Sequence, residues 1–208
     1  HAGVTAGGGP THNDIADLAL YRAIPNLTVV APADAPQCCK FIRQSMDFEG
    51  PMIIRIDRAG SPVVYHDDYE LVIGKAIETL EGTDAYIISC GTNIYEGLMA
   101  SKMLKEKYGV SVGVLDMHTI KPLDADAILR VVQKTGNVVT IEDHSINGGL
   151  GSAVAEVLCE AGYKGSFKRI GMPDEFAVLG TPDEIYHYYG MDRDGIVNVL
   201  TKMLQLGK

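Results

Sequence analysis

The sequence predicts an α/β fold of two open, mostly parallel-sheet units, and three of its features carry that prediction. Short β-branched runs alternate with amphipathic stretches of helical length along the 208 residues. Strand, helix and strand follow one another with connections too long for hairpins, the chain path that parallel neighbours need. One stretch, around 57–68, interrupts this alternation with Gly60-Ser61-Pro62 and mixed charge. It divides the chain into a first unit at 1–60, a linker at 61–70 and a second unit at 71–208. Hydrophobic residues make up 46% of the chain and charged ones 22%, which is enough apolar material for a real core.

In the first unit, residues 27–32 read as a strand that ends at Pro32. Asp34 then caps a helix through Ala35-Pro36 to about Asp47, with proline in the first turn, where its missing N–H costs nothing. Met52-Ile53-Ile54-Arg55-Ile56 is the next strand, which completes a crossover unit. In the second unit, residues 85–90 form a strand closed by Gly91, followed by a helix at about 94–108 and a strand at 111–116. Lys121-Pro122-Leu123-Asp124 leads into a helix at about 125–135. A strand at 138–142, a helix at 151–161 and a strand at 167–170 follow. From Pro182 the tail is helical with a break near Gly190, and Tyr186, Tyr188 and Tyr189 pack it. The chain opens at His1 in a glycine-rich polar stretch, which reads as the remnant of a longer polypeptide.

Composition narrows the function. A formal net charge of -9 argues against a broad nucleic-acid surface, while single basic residues can still grip a small anion such as a phosphorylated metabolite. Cys38, Cys39, Cys90 and Cys159 show neither zinc-ligand spacing nor a disulfide framework, and fit reduced thiols in a cytoplasmic enzyme. No apolar run has bilayer-spanning length, and no signal-peptide pattern is present.

Four segments bear on chemistry. In Gly7-Gly8-Gly9-Pro10-Thr11-His12-Asn13-Asp14 the glycines permit close backbone approach to a ligand. Thr11 or Asn13 could cap a helix that turns Ile15, Leu18 and Ala19 inward, which would set His12 at its N-terminal end. An incidental histidine in a glycine-rich loop is the competing reading. Arg55 and Arg58 lie at the carboxyl end of a strand, where open α/β sheets gather ligands, and a guanidinium fork matches phosphate. An ion pair of Arg58 with Asp57 is the alternative there. Asn147-Gly148-Gly149-Leu150-Gly151-Ser152 invites a nucleotide-loop reading, but Val154 stands where the third small residue belongs, which favours a tight packing turn without a cofactor. Glu142-Asp143-His144-Ser145 are neighbours on a strand end and point different ways, so they do not make a hydrolytic triad.

Taken together, these segments resemble the transketolase family over essentially the whole chain. Gly9-Pro10-Thr11-His12, the run from Asp17 to Asn26 and Val30-Ala31-Pro32-Ala33-Asp34 are similar to the second half of its pyrimidine-binding domain. Ile120-Lys121-Pro122-Leu123-Asp124, Glu142-Asp143-His144 with Gly148-Gly149-Leu150-Gly151, and Gly171-Met172-Pro173-Asp174-Glu175-Phe176 are similar to its C-terminal domain. The resemblance implies a truncated pyrimidine-binding domain followed by a complete C-terminal domain, as in the C-terminal subunit of a split transketolase. It implies transfer of a two-carbon ketol unit between sugar phosphates with thiamine diphosphate and Mg²⁺.

His12 matches the family histidine at the donor's reacting oxygens, and His1 and Arg58 match residues that hold the sugar phosphate. Gly7 and Gly8 depart from an acidic pair common in the family, which bears on donor preference. Cofactor-binding residues are expected upstream of His1 or on a partner N-terminal half. The chain alone is therefore expected to be inactive, and the assembly to be a homodimer. The nearest alternatives are 1-deoxyxylulose-5-phosphate synthase and a non-catalytic dimerisation module.

Overall fold

The computed structural model describes residues 2–4, 9–58, 60–66 and 68–207. In the first unit, helix α1 (Asp17–Ala23) precedes strand β1 (Thr28–Val30), helix α2 (Ala35–Ser45) and strand β2 (Met52–Ile54). β1 and β2 pair in parallel through the α2 crossover, as predicted. Asp34 caps α2 by accepting the Gln37 N–H at 2.8 Å, and Pro36 sits in the first turn. The start of α1 differs from expectation. Neither Thr11 nor Asn13 caps it; the helix begins at Asp17, after an Asp14 side chain that accepts the Ala16 N–H at 3.1 Å. Of the inward set, Leu18 is fully buried, whereas Ile15 and Ala19 are half-buried.

Residues 60–66 and 68–71 run without regular structure over α2 and are fastened to it. The second carboxylate oxygen of Asp34 accepts the Val64 and Tyr65 N–H groups at 2.7 and 2.8 Å. Ser61 donates to the Ala33 carbonyl at 2.8 Å, and Gln44 donates to that of Leu71 at 2.6 Å.

The second sheet gathers β3 (Ile77–Leu80), β4 (Ala85–Ser89), β5 (Val112–Asp116), β7 (Asn137–Ser145) and β8 (Ser166–Met172) in the order β3-β5-β4-β7-β8. All its pairs are parallel except β3 with β5. Helices α3 (Asn93–Tyr108), α4 (Ala125–Thr135) and α5 (Leu150–Glu160) make the crossovers, and α6 (Pro182–Tyr189) and α7 (Arg193–Met203) close the chain. Side-chain alternation along β4 splits the core into two layers. Ala85 and Ile87 pack on one face with Leu104 of α3 and Leu200 of α7, while Tyr86 and Ile88 pack on the other with Ile128 of α4 and Val154 of α5. That second layer also contains Leu18, Val29 and Ala31, so the core of the first unit is continuous with that of the second.

Two strands escaped the sequence reading. β3 carries its apolar residues at Ile77 and Leu80, a spacing of three made possible by a register shift against β5. β6 (Thr119–Lys121) is three residues long and pairs antiparallel with β1, so a strand from the later part of the chain completes the first sheet, in the order β2-β1-β6. The helical tail packs through Tyr186 and Tyr189, as expected, but Tyr188 is 67% exposed. Among the described residues, no helix is long and apolar enough to cross a membrane.

Candidate functional site

β4 continues through α3 to β5 on one side of it and, after β6 and α4, the chain reaches β7 on the other. The carboxyl ends of β4 and β7 therefore form the crevice where doubly wound sheets bind ligands. In this protein an arginine of the first unit fills it. Arg55, just past β2, gives Nε and Nη2 to the two carboxylate oxygens of Asp17 at 2.7 and 3.1 Å, and Nη2 also donates to the Asp143 carbonyl on β7 at 2.8 Å. The side chains of Arg55 and Asp17 are each only 5% exposed. Burial alone would weaken the guanidinium's hold on its proton, but the Asp17 charge and hydrogen bonds outweigh it and raise the Arg55 pKa.

Along the end of β7 the side chains alternate, so Glu142 and His144 share one face, 3.8 Å apart, and only Asp143 points away from them, a correction to the expectation that all of them point different ways. Glu142 turns into the N-terminus of α5, where its carboxylate accepts the Leu150 and Gly151 N–H groups at 2.5 and 2.8 Å. Burial pushes its pKa up to about 7, against those backbone donors. Asp143 turns the other way and accepts the Val4 N–H at 3.1 Å, with burial again raising its pKa to about 7. His144 accepts the Ala19 N–H at Nε2 (3.3 Å) and lies 2.7 Å from the Ser145 carbonyl through Nδ1. That pattern assigns the neutral Nδ1–H tautomer, and burial, which lowers the pKa, favours the same state.

The turn before α5 is packed shut. Gly148 takes a φ of +86°, and a methyl group at Gly149 would collide with the Glu142 carboxylate and the His144 ring. The helix N-terminus that would hold a phosphate is already occupied by the protein's own carboxylate, in agreement with the tight-turn reading.

The predicted site residues lie on the segments that this network anchors. His12 is exposed in a turn that opens at Gly9, with its N–H bonded to the Gly9 carbonyl at 2.9 Å and its Nδ1 2.9 Å from the Thr11 hydroxyl. It precedes α1 by five residues and does not sit on the helix terminus. Arg58 is exposed three residues beyond Arg55. The two arginines grouped together in the sequence thus separate, Arg55 into a buried ion pair and Arg58 to the surface. A cavity of about 180 Å³ is lined by Pro32, Asp34, Cys38, Asp57, Ser61 and Thr92, among others. His1, Gly7 and Gly8 lie outside the described residues.

Sequence reasoning did not find the Arg55–Asp17 pair. The signal available was an acid directly before the fully buried Leu18, on the face that α1 turns inward. Asp116 was likewise missed. It is fully buried at the end of β5, and one carboxylate oxygen accepts from Gln37 at 2.8 Å and from the Tyr65 hydroxyl at 2.6 Å while the other has no partner among the described residues. Burial pushes its pKa up to about 7.

Among the described residues, no group of three His, Cys, Asp or Glu side chains is placed to hold a metal ion. With the α5 terminus also filled, these residues do not fit a diphosphate and its metal.

The model of the transketolase C-terminal domain matches residues 74–196, and that of the transketolase pyrimidine-binding domain matches residues 1–62. The chain is 42% identical over 189 residues to an apulose-4-phosphate transketolase subunit of Phocaeicola vulgatus, covering 90% of this chain and 60% of that one. It is 35% identical over 204 residues to 1-deoxy-D-xylulose-5-phosphate synthase of Bacteroides fragilis, covering 97% of this chain and 32% of that one. A solved split-gene transketolase, described as an inactive beta4 tetramer, superposes with a TM-score of 0.89 at 37% identity, over 100% of this chain and 66% of that one. The chain thus spans about three fifths of the length of the Phocaeicola relative.

Proposed function

The chain belongs to the transketolase family, and from that premise we propose that it is the C-terminal part of an assembly that moves a two-carbon ketol unit between sugar phosphates. The observation that carries this reading is the contrast at the joint of the two units. Arg55, Asp17, Asp143, Glu142 and His144 are buried there among one another, whereas His12 and Arg58 are exposed on the two segments this network anchors. His12, its imidazole exposed at the turn, hydrogen-bonds the donor's first hydroxyl and passes its proton as charge shifts between the neighbouring oxygens. Arg58 grips the phosphate through its planar fork, and His1 assists it.

Thiamine diphosphate with Mg²⁺ supplies the carbanion chemistry when bound. We place its site mainly on another part of the assembly, an N-terminal half on the same chain or on a partner subunit. The reading includes a homodimer in the cytoplasm and no turnover by this chain alone. Its C-terminal-subunit part is supported by the split-gene neighbour and by the apulose-4-phosphate transketolase relative.

The test is a product assay on the complete assembly with thiamine diphosphate and Mg²⁺. Xylulose 5-phosphate and ribose 5-phosphate are expected to give glyceraldehyde 3-phosphate and a seven-carbon ketose without CO2. A parallel reaction holds pyruvate and glyceraldehyde 3-phosphate. CO2 released there would promote the deoxyxylulose-phosphate synthase reading, and silence in both would leave the dimerisation module ahead.

A further inference from the structure

We infer that Arg55 is the positioning residue of this site: its buried guanidinium, shared between Asp17 and the Asp143 carbonyl, fixes the segments that carry His12 and Arg58 against the second sheet. The inference rests on the sugar-phosphate reading of His12 and Arg58, and concerns what holds them in place.

Three chain segments converge on one strand end. The first is the stretch past β2, where Arg55 precedes Arg58 by three residues and is itself pinned by its N–H to the Val30 carbonyl at 2.8 Å. The second is α1, whose first residue, Asp17, takes two of the guanidinium bonds and follows His12 by five residues. The third is the stretch ahead of the glycine turn. Val4 donates to the Asp143 carboxylate, and Gly3 donates to the Asp14 carbonyl at 2.8 Å, so both flanks of the turn are tied together and tied to β7. Gly3 has no room for a side chain, because a methyl group there would collide with the Asp143 carboxylate.

The crevice that a doubly wound sheet offers to a ligand therefore serves as a socket for the first unit. At no more than about 3.6 Å per residue, His12 stays within about 18 Å of Asp17 and Arg58 within about 11 Å of Arg55. The Val4–Asp143 and Gly3–Asp14 bonds on one side and the Arg55 N–H bond to Val30 on the other tie both segments to the socket, so its shifts are passed along them. A lysine cannot replace the fork, since one ammonium cannot meet both Asp17 oxygens and the Asp143 carbonyl in the same plane.

The experiment compares wild type, Arg55→Lys, Arg58→Ala and the double variant in the complete assembly, with thiamine diphosphate and Mg²⁺. Each is given xylulose 5-phosphate and, separately, xylulose as donor. Arg55→Lys is expected to lower kcat/KM for the phosphorylated donor by about 100-fold, the scale of a misplaced reacting group, with far-ultraviolet circular dichroism and oligomer assembly unchanged. Its loss with xylulose should be smaller, and the double variant should lose less than the product of the two single losses. If Arg55→Lys does not fold, Asp17→Asn, which keeps the guanidinium and the size of its partner, should show the same donor dependence at about tenfold. A lower melting temperature with kcat/KM per folded site unchanged, or losses that simply multiply with Arg58→Ala, would overturn the inference. If wild type shows no preference for the phosphorylated donor and Arg58→Ala changes nothing, the sugar-phosphate reading fails and the inference falls with it. If Arg58 matters and Arg55 does not, only the inference fails.

Discussion

Both glycine-rich turns of this chain, the one through Gly9 and the one from Gly148 to Gly151, lead towards a helix, but the structure treats them differently. At the second, Glu142 occupies the backbone donors of α5, and Gly149 and Gly151 are small so that the turn can close over that carboxylate. At the first, the helix starts later, at Asp17, and the turn presents an exposed His12. Glycine content says that backbone comes close to something. Whether that something is a ligand or the protein's own side chain depends on whether a buried group already meets the donors, and here β7 supplies one for α5.

This contrast can be broken in three places. The largest effect is expected from His12→Ala, which should cost two to four powers of ten in kcat/KM of the complete assembly, the usual worth of a positioned acid–base group. Its urea midpoint should stay with the parent, because an exposed turn residue contributes little to stability; a stability loss of comparable size would make His12 structural. Next, Gly149→Ala should destabilise the protein by about 1–3 kcal/mol through overpacking against Glu142 and His144, read from urea unfolding. A neutral outcome would mean the turn is looser than it stands here. Third, Glu142→Ala should cost about 1–3 kcal/mol by leaving the Leu150 and Gly151 N–H groups unmet, and Glu142→Gln markedly less. If inorganic phosphate restored the stability of Glu142→Ala, the α5 turn would be a latent anion site after all.

A separate effect is spread over pH. Burial raises the Asp116 pKa to about 7, so the folded state holds its proton over a range where the unfolded carboxyl, at about 3.9, has lost it. Stability from this group is fully present below about pH 4 and is lost as pH rises through about 7. Asp116→Asn lacks that loss. The difference in unfolding free energy between variant and parent, read from urea unfolding, should therefore grow in the variant's favour across this window, by at most about 1.4 kcal/mol per pH unit. A difference that stays flat with pH would show that Asp116 titrates normally.

The alternation of strand and helix was legible because each long element carries its own periodicity, and seven helices and six strands appear near their expected places. β3 and β6 were not, because one holds a register shift and the other spans three residues. Leu18 told which face of α1 turns inward, but not that Asp14, rather than Thr11 or Asn13, precedes its first turn. In the site, Gly9 to His12 and the strand-end arginines stood out as local patterns. The Arg55 network did not, since its partners lie 38 and 88 residues away in sequence and no local pattern encodes such a meeting. A guanidinium reads the same on paper whether it faces a phosphate or a buried aspartate.

The antiparallel pairing of β6 with β1 also sets an order of events on the ribosome. Val29 and Val30 wait for Lys121 and Thr119, which are translated about ninety residues later. At usual elongation rates that delay is on the order of ten seconds. Throughout it, one edge of a three-residue strand stands unpaired in the nascent chain, where another strand or a chaperone could claim it.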